Sequence, residues 1–99
     1  MLTRRFARLI SVSSVQITLV GKPGCHLCDE ARDVVSRVVD DLAGEAGAPA
    51  VVIDEVSILD DPELEAKYAE KIPVLLVDGA EHSIWRVRPE RLRAALLGS

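Results

Sequence analysis

Along residues 15–20, apolar side chains alternate with Gln16 and Thr18 and then run on through Leu19 and Val20. A period of two that closes into an apolar run predicts a strand buried on at least one face. Gly21, Pro23 and Gly24 end it. From there the period changes. Leu27, Ala31, Val34, Val35, Val38, Val39 and Leu42 recur along one helical face, while Glu30, Arg32, Asp33, Arg37, Asp40 and Asp41 take the other. This pattern predicts an amphipathic helix beginning at about His26. Gly44 and Gly47 stop it, and Pro49 prevents its extension.

The β-branched run over residues 50–56 predicts a second strand, with residues 57–61 as a loop. Asp60 or Asp61 is placed to cap a helix whose first position is Pro62. That helix runs to about Glu70, with Leu64 and Tyr68 turned inward and Ala69 a candidate for the same face. Lys71, Ile72 and Pro73 lead into an apolar strand over residues 74–77. Asp78-Gly79 then signals a hairpin, with residues 82–87 returning and Trp85 as a large apolar contact on that last strand. Pro89 opens a final helix whose inward face is Leu92, Ala95 and Leu96. The order β-α-β-α-β-β-α predicts an α/β fold with a mixed four-stranded sheet flanked by three helices, parallel through its crossovers and antiparallel at the hairpin. Residues 15–99 form one domain in this reading, and residues 1–14 form a flexible or edge-packed extension.

Composition narrows the function classes. A chain of 99 residues that is 48% hydrophobic supports one core, and with Phe6, Tyr68 and Trp85 as its aromatics that core is aliphatic. A net charge of −4 gives no electrostatic reason to expect nucleic acid or an anionic membrane as partner. No apolar run approaches the ~20 residues that cross a bilayer. The arginines near the start precede only a short stretch broken by Ser11, Ser13 and Ser14, so a cleaved signal is not expected and a cytoplasmic monomer is.

Cys25 and Cys28, the two cysteines of the chain, stand where the first helix begins. At that spacing a disulfide closes a very small loop and constrains the unfolded chain little, which favours reversible chemistry over stapling. A helix N-terminus carries free N–H groups and partial positive charge, both of which favour a thiolate. Lys22 adds positive charge; Asp29 and Glu30 oppose it. His26 is either a further stabiliser of the thiolate or a solvated side chain. Zinc is disfavoured, because Cys25, Cys28, His26 and His82 lack a second pair at ligand spacing. The arginines Arg86, Arg88, Arg91 and Arg93 read either as a solvated face or as an attraction for an acidic partner.

Gly21-Lys22-Pro23-Gly24-Cys25-His26-Leu27-Cys28-Asp29-Glu30-Ala31, together with Lys71-Ile72-Pro73-Val74, resembles the glutaredoxin-like proteins of the thioredoxin fold. The likeness spans about residues 15–97 and is nearest to a small bacterial branch of that family. It implies a thiol–disulfide oxidoreductase acting on protein or small-molecule disulfides. Cys25 would attack and Cys28 resolve, with Lys22 at the family's basic position. Pro73 would be a cis-proline facing the pair, and Ile72 would offer its backbone to substrate. Thioredoxins carry Trp before the pair and Gly-Pro within it; here Gly24 and His26-Leu27 stand there, and Leu19 occupies the place of their buried acid. Glutaredoxins hold the γ-glutamyl end of glutathione with a glycine pair and an Asp after the last strand. Val87-Arg88-Pro89-Glu90 lacks that pair. No bound cofactor or shared iron–sulfur cluster is therefore expected; glutathione enters as a reductant whose site is incomplete. The alternative function is a redox-silent binding or adaptor module.

Overall fold

A computed structural model describes residues 14–98 of the chain. Four strands, β1 (Ser14–Gly21), β2 (Ala50–Ser57), β3 (Val74–Val77) and β4 (Ala80–Ile84), alternate with three helices, α1 (His26–Ala43), α2 (Pro62–Tyr68) and α3 (Pro89–Leu96). The sheet order is β2-β1-β3-β4. β1 pairs parallel with β2 and antiparallel with β3, and β3 pairs antiparallel with β4. The mixed four-stranded α/β architecture is the one predicted from the pattern. The N-terminal extension expected over residues 1–14 lies outside the described residues, except for Ser14, which begins β1.

Period two along β1 sorts the core into two layers. Ile17 and Leu19 point toward α1 and α3 and pack with Val35, Leu42, Leu75, Leu92 and Leu96. Val20 points the other way, where it meets Val74, Ile58 and Tyr68. Each fully buried aliphatic side chain contributes on the order of 1.5–3 kcal/mol of transfer free energy, so these two clusters hold the sheet between its helices.

Helix α1 buries Cys28, Ala31, Val35, Val38 and Leu42 and leaves Leu27, Val34 and Val39 half-buried along the margins of the same stripe. Pro62 starts α2, and the Asp61 carboxylate caps it by accepting the Glu63 N–H at 2.9 Å. Ala69 is exposed at the end of this helix, not turned inward as the spacing predicts, because α2 closes at Tyr68.

Two further differences lie at element ends. Within the predicted loop over 57–61, Ile58–Asp60 forms a 3-10 turn, since the Ser57 hydroxyl accepts the Leu59 N–H at 3.1 Å. The return strand spans Ala80–Ile84 where the pattern predicts 82–87. Asp78 and Gly79 both take positive φ, 51° and 85°, which makes a two-residue turn whose twist matches the strands and lets pairing begin at Ala80. The Asp78 carboxylate also accepts the Gln16 N–H at 2.9 Å, tying the turn to β1. At the other end Trp85 takes φ +65°, which turns the chain off the sheet. Trp85 is consequently half-exposed, and the predicted apolar contact on the last strand does not form. Among the described residues no helix is long and apolar enough to cross a membrane.

Candidate active site

The Gly-Pro turn after β1 delivers the two cysteines to the start of α1. Gly24 takes φ +73°, a conformation open to glycine, and Cys25 follows in extended backbone as the N-cap of the helix. Cys25 and Cys28 are joined as a disulfide, with Cα atoms 5.1 Å apart. The Cys25 Sγ accepts the Cys28 backbone N–H at 3.1 Å, so the sulfur itself occupies the position where a capping Ser or Asp oxygen would sit. The two sulfurs differ in environment: Cys25 is half-buried, and Cys28 is only 2% exposed. Behind Cys28 the end of β1 comes very close. A Cβ at Gly21 would lie 2.8 Å from the Cys28 Sγ, which only a glycine tolerates without movement.

Pro73 is buried, and the Ile72–Pro73 peptide bond is cis. The register Val20 to Val74, extended by one step, sets Pro73 opposite Gly21 and hence at the dithiol end of the sheet. The Pro73 carbonyl accepts the Trp85 N–H at 2.8 Å. Ile72 is half-buried and makes no backbone hydrogen bond among the described residues. Lys22 is exposed in the turn, and His26 is exposed as the first residue of α1. The geometry thus gathers Lys22, Cys25, His26 and Cys28 on one turn, with Ile72 and Pro73 on the neighbouring strand entry. His82 is not part of this group: it lies on β4, its Nε2 3.4 Å from the Arg91 carbonyl. Among the described residues no group of three or more His, Cys, Asp or Glu is placed to hold a metal ion.

Two clefts flank the pair. On the β2 side, a cavity of about 270 Å³ is lined by Cys28, Lys22, Arg32, Glu55 and Asp60 among others. The Arg32 Nε donates to both Glu55 oxygens at 2.8 and 3.0 Å, and its Nη1 donates to Asp29 at 2.8 Å. These hydrogen bonds, to Glu55 first and Asp29 second, raise the guanidinium above its ordinary value. On the α3 side, a groove of about 260 Å³ runs between Leu27, Ala31 and Val34 of α1 and the segment 85–89. Trp85 forms part of its wall, 52% exposed, with the indole N–H donating to the Glu70 carbonyl at 3.1 Å. Sequence reasoning missed Trp85 as a wall of this groove. Only its position directly ahead of Arg86 and Arg88 could have marked it.

Comparison with known proteins agrees with this fold. The family described as Glutaredoxin-like domain (DUF836) matches residues 16–97. An uncharacterized protein of Mycobacterium tuberculosis is 33% identical over 88 residues, 89% of each chain. The crystal structure of a structural-genomics target protein from X. campestris superposes with a TM-score of 0.63 at 29% identity, covering 84% of this chain and 97% of that one. Oxidised thioredoxin from Plasmodium falciparum, at 14% identity, shares the fold with a TM-score of 0.54 over 94% of this chain and 88% of its own. With the family model spanning most of its length, the chain belongs to the glutaredoxin-like domain family, built on the thioredoxin fold.

Proposed function

We propose that the protein is a thiol–disulfide oxidoreductase in which Cys25 attacks and Cys28 resolves. The observation that carries this reading is the asymmetry of the pair: a half-buried sulfur that caps a helix, and a second sulfur, bonded to it, that is buried. A capping sulfur gains from the helix N-terminus when it is a thiolate, so in the reduced protein Cys25 is the group that ionises first. Its thiolate attacks one sulfur of a substrate disulfide. The other substrate sulfur leaves with the bonding electron pair and takes a proton. Cys28 then loses its proton and attacks the Cys25 sulfur of the mixed disulfide, releasing the second substrate thiol. The substrate gains two electrons and two protons, and the Cys25–Cys28 disulfide remains. Two equivalents of a low-molecular-weight thiol, glutathione among them, or one dithiol, restore the reduced form.

Lys22 brings positive charge to the turn, and His26 stands beside Cys25 as the first residue of α1. Ile72, whose backbone N–H and C=O make no hydrogen bond among the described residues, receives an extended substrate beside Pro73. Residues 15–99 act in this reading as one unit, a cytoplasmic monomer. The decisive measurement is the ratio of reduced to oxidised protein in glutathione redox buffers, read by mass. A midpoint between about −300 and −120 mV is expected, and a pair that never oxidises across that window would leave only the adaptor role. Iodoacetamide labelling of reduced Cys25 well below the ordinary thiol range of about 8.5 is the companion result.

A further inference from the structure

The structure assigns the groove between α1 and residues 85–89 a substrate class: an extended, acidic segment of a disulfide-bonded protein, held by Trp85 and by the Arg86 and Arg88 guanidinium groups. The assignment rests on the oxidoreductase reading and names what that site would act on.

Trp85 is held in an unusual way for an exposed residue. Its backbone is left-handed at φ +65°, a conformation rare for bulky side chains and found where surrounding contacts enforce it. Here two hydrogen bonds do so, from the backbone N–H to Pro73 and from the indole to Glu70. The result is a large ring, fixed at one edge and 52% exposed. A ring already ordered before binding offers apolar contact at little further entropic cost, the property that makes aromatic residues anchors in recognition surfaces.

The groove's floor comes from the margin of the α1 stripe. Leu27 and Val34 are half-buried because the segment 85–89 stops short of covering them. Leu27 lies between the two cysteines in sequence, so the groove's wall includes a residue of the same first turn that Cys25 caps. Next to Pro73, which accepts the Trp85 N–H, Ile72 makes no backbone hydrogen bond among the described residues and adds the main-chain contact that an extended polypeptide makes and that a compact small thiol uses poorly.

Charge identifies the occupant. Arg32 is bound to Glu55 and Asp29, and Arg93 is bound to Glu45. Arg86 and Arg88 are exposed, line the groove, and have no ion-pair partner among the described residues. Glu30 is the one acid lining the same groove, so the local balance is positive on a chain whose net charge is −4. The field of the whole molecule would draw a basic segment; the groove itself would draw an acidic one.

That opposition of sign makes the test sharp. Reduced protein is mixed with two peptide disulfides, the homodimers of acetyl-Asp-Leu-Cys-Leu-Asp-amide and acetyl-Lys-Leu-Cys-Leu-Lys-amide. Each rate is divided by that of dithiothreitol on the same peptide. At low salt the acidic peptide should react about tenfold faster, and the preference should collapse at high salt. The double variant Arg86→Glu, Arg88→Glu, altered only at exposed positions, should reverse it. Equal rates, a preference for the basic peptide, or a preference that survives the charge reversal would overturn the assignment. Faster reduction of glutathione disulfide than of the acidic peptide would overturn it too, in favour of a small thiol. Docking is also read without chemistry. Trp85 is the chain's single tryptophan, so its fluorescence titrated with acetyl-Asp-Leu-Ser-Leu-Asp-amide reports on this groove alone. A saturating change that high salt abolishes is expected, and no change up to millimolar peptide overturns the proposal. Failure of the dithiol to reduce even neutral dithiodipyridine, with the fluorescence change intact, would instead remove the oxidoreductase reading and leave the groove as a peptide-binding site.

Discussion

The two clefts beside the dithiol are close in size and opposite in construction. On the β2 side Arg32 is bound to Glu55 and Asp29 beside the buried Cys28. On the α3 side the apolar margin of a helix, a half-exposed ring and two arginines line the groove, and neither arginine has an ion-pair partner among the described residues. Both clefts are built from the same helix, whose sides diverge at Leu27 and Cys28. The difference teaches where charge is already matched and where it is not: the guanidinium beside the buried sulfur has its carboxylate partners, and the two arginines on the other side have none among the described residues.

The largest effects are expected at the boundary between the sides. Cys25→Ser should reduce turnover of dithiodipyridine to the protein-free background. Cys28→Ser should instead hold a mixed disulfide that mass spectrometry detects; a Cys28→Ser protein that turns over normally would erase the asymmetry between the sulfurs. Next comes the close approach of Gly21 to Cys28. Gly21→Ala drives a methyl into the Cys28 sulfur, and overpacking of this kind costs about 1–3 kcal/mol. Thermal unfolding should register that as roughly 4–8 °C for each kcal/mol in a domain of this size. An unchanged melting point would mean that the space behind Cys28 is not filled.

Adjacent valines separate the sides more finely. Val35 is 2% exposed in the core and Val34 is half-buried on the groove margin. Val35→Ala should cost about 1.5–3 kcal/mol, and Val34→Ala less than about half of that, because less apolar surface and no closed cavity are involved. Equal losses by denaturant titration would show that the groove is not open. The smallest effect belongs to the ion pairs. Arg32→Gln should lower stability by about 0.2–1 kcal/mol, since all three partners are largely exposed, and the loss should fade in about 1 M NaCl. Arg86→Gln, with no ion-pair partner among the described residues to lose, should leave stability unaltered.

The legible parts of the fold are those governed by local rules. The α1 stripe and its Gly44 end, Pro62 as a helix start with Asp61 before it, and the Asp78-Gly79 turn each follow from spacing or backbone preference within a few residues. The cysteine pair was legible for the same reason, since a capping sulfur and its amide are three positions apart. What escaped depends on distant partners. Nothing near Trp85 in sequence says that its amide will be taken by Pro73 and its indole by Glu70, and without those bonds a tryptophan after an apolar strand reads as more strand. Residues 58–60 form a 3-10 turn through the hydroxyl of Ser57, a hydrogen bond that periodicity does not encode. The Arg32–Glu55 pair joins a helix to the strand after it and becomes visible only when β2 lies beside β1.

The hydrogen bond from the Cys28 amide to the Cys25 sulfur carries one more consequence. An amide proton resonance is sensitive to the charge on its acceptor, so the backbone signal of Cys28 is a built-in indicator of the state of Cys25. A pH series of nitrogen–proton correlation spectra on reduced, unlabelled-thiol protein would trace the ionisation of that one sulfur from a neighbouring peptide group. The Cys25 sulfur could then be followed from the reduced to the disulfide form without ever being chemically modified.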